Sequence, residues 1–379
     1  MLMTPGPTAV PPQVREAMSR EMPNPDVEEA FGERYADVTR KLAEVYGTDD
    51  DLVVLGGEGI LGLEAAVASL IEPGDRVLCL SNGLYGDGFA DFVESYGGEA
   101  TLVGVDYTEP LDATAVEEAL DEDGGAGGEG GDGGAGGDGG TDRDGGTGGG
   151  DGFKAATMVH CETPTGTLND LGGVLERLRE RGVLTIVDAV SSLGGTPVPT
   201  EHVDIGLGAS QKCFSAPPGL TTVSVSDAAW DAIEARDPNT LYTNLLPWRD
   251  TSDGFPYTHL TANVVALDAA LDLLLDEGLD AAYARHEAAA ERCRERGREL
   301  GLDLYPDPER SSPTVTAFHV PGRAANLQRR LDEEHDVVLS TGLGDLADDI
   351  LRVGHMGYNA DVERVDRTMD ALGAVLDGE

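Results

Sequence analysis

The chain has 379 residues, 40% of them hydrophobic, enough to bury a sizeable core in one large domain and a smaller one. Its 71 acidic residues against 26 basic ones give a formal net charge of -45, a surface that repels DNA, RNA and anionic membranes and excludes nucleic acid as an expected partner. No window approaches the roughly 18 apolar residues of a membrane helix, and the opening MLMTPGPTAVPP has no basic segment followed by an apolar one, so neither membrane insertion nor secretion is expected.

In chain order, QVREAMSREM and residues 33–47 show helical spacing, DLVVLGG is a short apolar run ending in glycine, GLEAAVASLI is helical, and DRVLCLSNG is a second strand. LDATAVEEAL reads as a helix leading into residues 121–152, where 18 of 32 residues are glycine and nothing can pack. That segment is expected to be a disordered acidic insertion. The strand KAATMVHC, a helix around GGVLERLRERG, the strand VLTIVDAV, the segment VDIGLGAS and the strand TTVSVS follow. Nearly continuous apolar strands separated by helices predict an α/β fold whose parallel sheet is covered on both faces. After about residue 255 the chain is strongly helical through ERCRERGREL, then offers short strands at PTVTAFHV and DVVLS and a last helix at DVERVDRTMDALGAVL. That pattern fits a smaller C-terminal α+β domain.

Among the basic residues only Lys41, Lys154 and Lys212 are lysines, against 23 arginines. Acid excess with arginine in place of lysine fits a protein that stays soluble where salt near molar strength shortens the Debye length to about 3 Å. Halophilic adaptation is the expectation; a merely acidic cytosolic protein is the alternative. Cys79, Cys161, Cys213 and Cys293 lie far apart with no CxxC pair, which indicates a reducing cytoplasm and no metal centre or disulfide framework.

Three stretches carry chemistry. GEGILG at 57–62 spells G-x-G-x-x-G between a strand and a helix. A dinucleotide site would also need an acid about 20 residues on, at the end of the next strand, and that strand ends Leu80-Ser81-Asn82-Gly83. What remains is an anion site at a helix N-terminus, formed by the backbone N–H groups of Glu58, Gly59 and Ile60 and suited to one phosphate; a tight turn needing glycines is the alternative. Asp188 closes the strand VLTIVD, at the edge where open α/β sheets bind ligands. It is either the partner of a protonated ring nitrogen or a helix N-cap. Lys212 lies in the loop GASQKCFSAPPG, where a partly apolar setting makes an amine easier to deprotonate and able to condense with an aldehyde.

An anion cradle, a strand-end aspartate and a loop lysine in this order are what pyridoxal phosphate requires. At these residues the chain resembles the class V aminotransferases of PLP fold type I, in the alanine:glyoxylate and serine:pyruvate branch. The matching motifs are TPGPT (4–8), GEGILGLEAA (57–66), SNGLYGDGF (81–89), HCETPTG (160–166), VDAVSSLGG (187–195), SQKCFSAPPG (210–219), FPYT (255–258) and LRVGHMGYNA (351–360). The resemblance implies a large domain over 15–255 with a mainly parallel seven-stranded sheet, a small C-terminal domain over 256–379, and an N-terminal segment, 1–14, that contributes to the active site. It implies that Lys212 holds the cofactor and shuttles the proton, that Asp188 pairs with the pyridinium nitrogen, and that Tyr85 stacks on the ring where many relatives have tryptophan. It further implies that Val190 packs on the other ring face and Thr163 reaches the phenolic oxygen. Glu58, Gly59, Ile60 and Gln211 would cradle the phosphate, Thr258 would arrive from the second subunit of a homodimer, and Arg352 would clamp the substrate carboxylate. Relatives commonly carry a small hydroxyl residue at position 58. A carboxylate there is awkward beside phosphate, so the Glu58 side chain is expected to point away and leave only its backbone in the cradle.

The expected reaction is a ping-pong transamination between a small amino acid, alanine or serine, and glyoxylate or pyruvate, with aspartate, ureidoglycine and aminoethylphosphonate as alternative donors. Cysteine desulfurases share the fold but need a nucleophilic cysteine on a loop well after the lysine. A nicotinamide dehydrogenase lacks its ribose acid, and a non-enzymatic binder would convert nothing.

Overall fold

The computed structural model describes residues 1–111, 113–125 and 152–378. Of the insertion expected at 121–152, residues 126–151 lie outside the described residues, and the helix Ala113–Gly125 includes its first five. Seven strands form the large sheet: β1 (Asp51–Gly56), β2 (Arg76–Ser81), β3 (Glu99–Gly104), β4 (Ala155–Val159), β5 (Leu184–Asp188), β6 (Ile205–Ala209) and β7 (Leu220–Val225). Their spatial order is β1-β7-β6-β5-β4-β2-β3. Six strands point the same way, and β7 runs antiparallel to both of its neighbours, β1 and β6.

The reversal follows from chain length. A parallel crossover needs about a dozen residues or more, whereas residues 210–219 alone join β6 to β7. That short return holds Gln211 and Lys212 close against the sheet. β4 and β6 are buried along their whole length and β5 in all but its first residue, Leu184, matching their nearly continuous apolar runs. β3 did not stand out in the sequence because it is an edge strand whose side chains are partly or fully exposed, leaving no such run.

A second, four-stranded antiparallel sheet places Asp303–Leu304, Val315–His319, Ile350–Gly354 and Ser340–Thr341 side by side. Helices Leu279–Glu299, Ala324–His335 and Val362–Asp377 bury Cys293, Leu327, Leu331, Met369 and Leu372 against it. The helix Thr261–Glu277 instead sends Val264, Leu267 and Leu271 into the core of the large sheet.

The N-terminal segment bridges the two sheets. Met3 is buried in the second core, donates its N–H to the Val338 carbonyl at 2.9 Å and accepts the Gly354 N–H at 2.7 Å. Five residues on, the Thr8 N–H bonds the Gln211 carbonyl at 3.0 Å. The strand that carries Arg352 and the loop that carries Lys212 are thereby tied to one short piece of chain.

Candidate active site

Because six strands are parallel, their C-terminal ends meet at one edge of the sheet, the edge where ligands of such folds bind. The turns after β1, β2, β4, β5 and β6 converge there on a cavity of ≈ 280 Å³. Nine of the eleven residues selected from sequence line it: Glu58, Gly59, Ile60, Tyr85, Thr163, Asp188, Val190, Gln211 and Lys212. Gly6, Pro7, Leu63, Ser191 and Pro218 complete its wall. Gly6, Pro7 and Ser191 fall within TPGPT and VDAVSSLGG, so the motifs marked them even though no individual role was assigned.

Lys212 donates from Nζ to the Pro5 carbonyl at 2.9 Å. Gly6, at φ +96°, lies so close that a Cβ there would stand 2.5 Å from Lys212 Cδ, a contact that glycine avoids. Burial, reinforced by the nearby Arg352 guanidinium, lowers the Lys212 pKa below the ordinary lysine value, while Asp188 works in the opposite direction. The amine is therefore easier to free of its proton than one in water.

Asp188 is 6% exposed. Its Oδ1 accepts the Val190 N–H at 2.8 Å, and its backbone carbonyl accepts the His160 N–H at 2.8 Å. Burial pushes its pKa up to about 6, the Val190 N–H and Lys212 lower it, and Glu58 adds to the rise. No helix starts at this point, since residues 190–195 form successive turns, so the helix-cap alternative does not hold. A buried carboxyl raised in this way is one that calls for a cation.

Thr163 and Ser191 share a short hydroxyl–hydroxyl contact. Glu162, unassigned in the sequence although it stands in the motif HCETPTG, accepts the N–H groups of Gly86 at 2.7 Å and Tyr85 at 3.3 Å. It thus caps the helix Leu84–Ser95 and sets the position of Tyr85. Burial pushes its own pKa up to about 8.

Glu58 departs from expectation. Its side chain turns back over the start of the helix Gly59–Leu70: Oε1 accepts the Ile60 N–H at 3.3 Å, and Gln211 Nε2 reaches Oε2 at 3.4 Å. Helix N-termini attract anions, and the nearest anion to this one is the residue's own carboxylate.

Arg352 and Thr258 do not line the cavity. Arg352 is buried just behind it, donating Nε to the Thr341 carbonyl at 2.7 Å and Nη1 to the Thr163 carbonyl at 3.3 Å. Burial lowers its pKa to about 10, which leaves it charged at neutral pH. Thr258 donates its hydroxyl to Asp26 at 2.9 Å, away from the cavity.

A doubly covered, mainly parallel sheet with a lysine and a buried aspartate facing one cavity at its C-terminal edge defines a pyridoxal-phosphate enzyme of fold type I. The Aminotransferase class-V family model matches residues 150–365. An uncharacterized aminotransferase of Methanocaldococcus jannaschii is 33% identical over 371 residues, covering 96% of this chain and 89% of its own length. The pyridoxamine–pyruvate transaminase of Mesorhizobium japonicum is 31% identical over 384 residues, covering 99% of this chain and 91% of its own. The crystal structure of an alanine–glyoxylate aminotransferase from Nostoc sp. superposes with a TM-score of 0.88 at 28% identity, covering 99% of this chain and 94% of that one. The chain belongs to the class V aminotransferases, in the alanine–glyoxylate branch, and is a PLP-dependent transaminase.

Class V aminotransferases of this fold use pyridoxal 5'-phosphate, and the cavity can be tested against that molecule. The ring and aldehyde ends fit: Lys212 is an easily deprotonated amine, Asp188 is a buried acid wanting a cation, and glycine at 59 avoids the tight 3.2 Å approach that a Cβ would make to the Val190 side chain. The phosphate end contains the cradle but also the Glu58 carboxylate.

Proposed function

We propose that the protein transfers an amino group from a small amino acid, alanine or serine, to glyoxylate or pyruvate by a ping-pong cycle. The observation that carries this reading is the placing of Lys212 and Asp188 on the wall of one cavity with Arg352 immediately behind. When bound, the pyridoxal ring supplies an electron sink for the carbanion left by Cα deprotonation. Asp188 would pair with the ring nitrogen and favour its protonated form, and the Lys212 amine would hold the cofactor and carry the proton taken from the substrate. Tyr85 and Val190 would hold the ring faces, and Thr163 would meet the phenolic oxygen.

Arg352 receives the substrate carboxylate. Two of its donors already serve protein carbonyls, so its head is held in place before substrate arrives. Arg352→Lys is expected to raise KM on the order of tenfold or more with a smaller loss in kcat, because an ammonium cannot reproduce the planar fork. Steady-state kinetics with alanine checks this, and an unchanged KM would remove Arg352 from carboxylate binding.

The cavity wall contains no arginine among the described residues, which supports small donors over aspartate. A donor screen against glyoxylate, pyruvate and 2-oxoglutarate, with aspartate, ureidoglycine and aminoethylphosphonate included, tests the assignment. A desulfurase reading fits poorly: all four cysteines are buried, and burial pushes the thiols of Cys79 and Cys161 to about 11 and those of Cys213 and Cys293 to about 12, the reverse of an activated nucleophile. One observation favours a second reading. Glu58 places a carboxylate in the cradle, and the Mesorhizobium relative is named for pyridoxamine, an amine without the phosphate.

The working state we propose is a cytoplasmic homodimer in which Thr258 reaches the partner's site. Among the described residues no helix is long and apolar enough to cross a membrane. With a formal net charge of -45, the protein is proposed to be halophilic. Its Tm is expected to climb by tens of degrees, roughly, from dilute buffer to molar KCl as self-repulsion is screened. A melting curve that ignores salt would end the halophilic reading.

A further inference from the structure

We propose that Glu58 and Gln211 select the form of the ring bearing a neutral 5'-hydroxymethyl group, so that free pyridoxamine and pyridoxal enter this site as exchangeable substrates. The inference rests on the transaminase reading above and deepens it at one end of the cavity.

Glu58 Oε1 occupies the helix N-terminus through the Ile60 N–H, and Oε2 takes the Gln211 Nε2. Two of the donors that would hold a phosphate, the Ile60 N–H and Gln211 Nε2, are thus already engaged by a carboxylate. The charged side chains of the cavity wall are Glu58, Asp188 and Lys212, two acids and one base. Lys212 is committed to the carbonyl chemistry of C4', so nothing in the wall offsets a phosphate of about -1.5 to -2 charge. At an effective dielectric near 20, two like unit charges about 4 Å apart oppose each other; Glu58 is exposed, so the opposition is greatest at low salt.

Gln211 supplies the second, independent observation. Donation from Nε2 to Glu58 fixes the orientation of its amide, leaving Oε1 as an acceptor that is buried with no hydrogen-bond partner. An unpaired buried acceptor is costly. A hydroxyl can donate to the Glu58 carboxylate, which lines the cavity, whereas a phosphate dianion has acceptor oxygens alone. Charge and hydrogen-bond polarity therefore both favour –CH₂OH over –CH₂OPO₃²⁻.

The reaction that follows is balanced without an added oxidant or reductant. The amino group of pyridoxamine and the keto oxygen of a 2-oxo acid such as pyruvate change places, one proton leaving C4' and one arriving at Cα. Pyridoxal and the amino acid are the products. Lys212 carries the proton, as in the reaction proposed above.

The test uses the full-length protein in molar KCl, freed of bound cofactor and titrated separately with pyridoxal and with pyridoxal 5'-phosphate, following visible absorbance and equilibrium dialysis. Pyridoxal is expected to bind tighter by on the order of tenfold or more, and pyridoxamine with pyruvate to yield pyridoxal and alanine over many turnovers per protein. Glu58→Ser keeps an N-capping side chain and is expected to reverse the preference, a combined shift on the order of a hundredfold. Retention of pyridoxal 5'-phosphate through dialysis by the unaltered protein, with weaker binding of pyridoxal, overturns the proposal whether or not the variant folds. Tight pyridoxal binding without conversion leaves the selection standing and overturns the transaminase reading. Alanine turnover on tightly held phosphate ester does the opposite.

Discussion

Lys212→Ala is expected to lower transamination on the order of 10⁴-fold or more, because one substitution removes both the covalent attachment and the group that moves the proton. It also abolishes the visible absorbance of the lysine-bound cofactor. The structural cost is small by comparison. The ammonium makes one hydrogen bond, to the Pro5 carbonyl, and its stem packs on Gly6, so loss of stability is expected to stay at about 1–2 kcal/mol. Turnover lost with the Tm nearly kept is the signature of a catalytic group. Ethylamine in the buffer is expected to restore part of the rate, since a small amine can enter the space and move the proton. Turnover within about tenfold of the parent protein, in single-turnover measurements, would take Lys212 out of the mechanism.

Lys212 was legible in the sequence for a local reason: lysine is nearly absent from this chain, and one persists in a loop between two strands. Asp188 was legible because the run before it is nearly all apolar, which places it at the end of a buried strand. The strands that lie wholly within the sheet share this advantage, and β3 at the edge lacks it. Other features depend on contacts between distant residues and left no local mark. The Lys212 amine meets the Pro5 carbonyl across 207 residues, and Arg352 Nη1 meets the Thr163 carbonyl across 189. The direction of the Glu58 side chain is not written in the local sequence, because its partners come from the helix start and from Gln211, 153 residues on. In the folded chain the helix N–H groups and Gln211 attract whichever anion is nearest. The reversal of β7 was implicit in the ten residues preceding it, since a loop too short for a crossover permits no parallel pairing.

Asp188→Asn is expected to separate function from stability. Asparagine can still accept the Val190 N–H that Oδ1 accepts now, so the turn after β5 should persist. What disappears is the charge that holds a proton on the ring nitrogen, and kcat is expected to fall on the order of 10²–10⁴-fold. For the cofactor-free protein the sign is opposite. Burial raises the folded carboxyl from 3.8 to about 6, so the folded state binds this proton more tightly than the unfolded state. Stability associated with the group is full below about pH 4 and is lost as pH rises through 6. Asparagine has no such loss. The Tm of Asp188→Asn should therefore exceed that of the unaltered protein at pH 7.5 and converge with it near pH 4, the gap corresponding to at most about 3 kcal/mol. Cofactor binding should narrow the gap at pH 7.5, because a ring cation offsets the buried charge in the unaltered protein alone. Thermal melts at the two pH values, with and without cofactor, check each part. A variant less stable than its parent at pH 7.5 would mean that Asp188 is held in the fold by more than its bond to Val190.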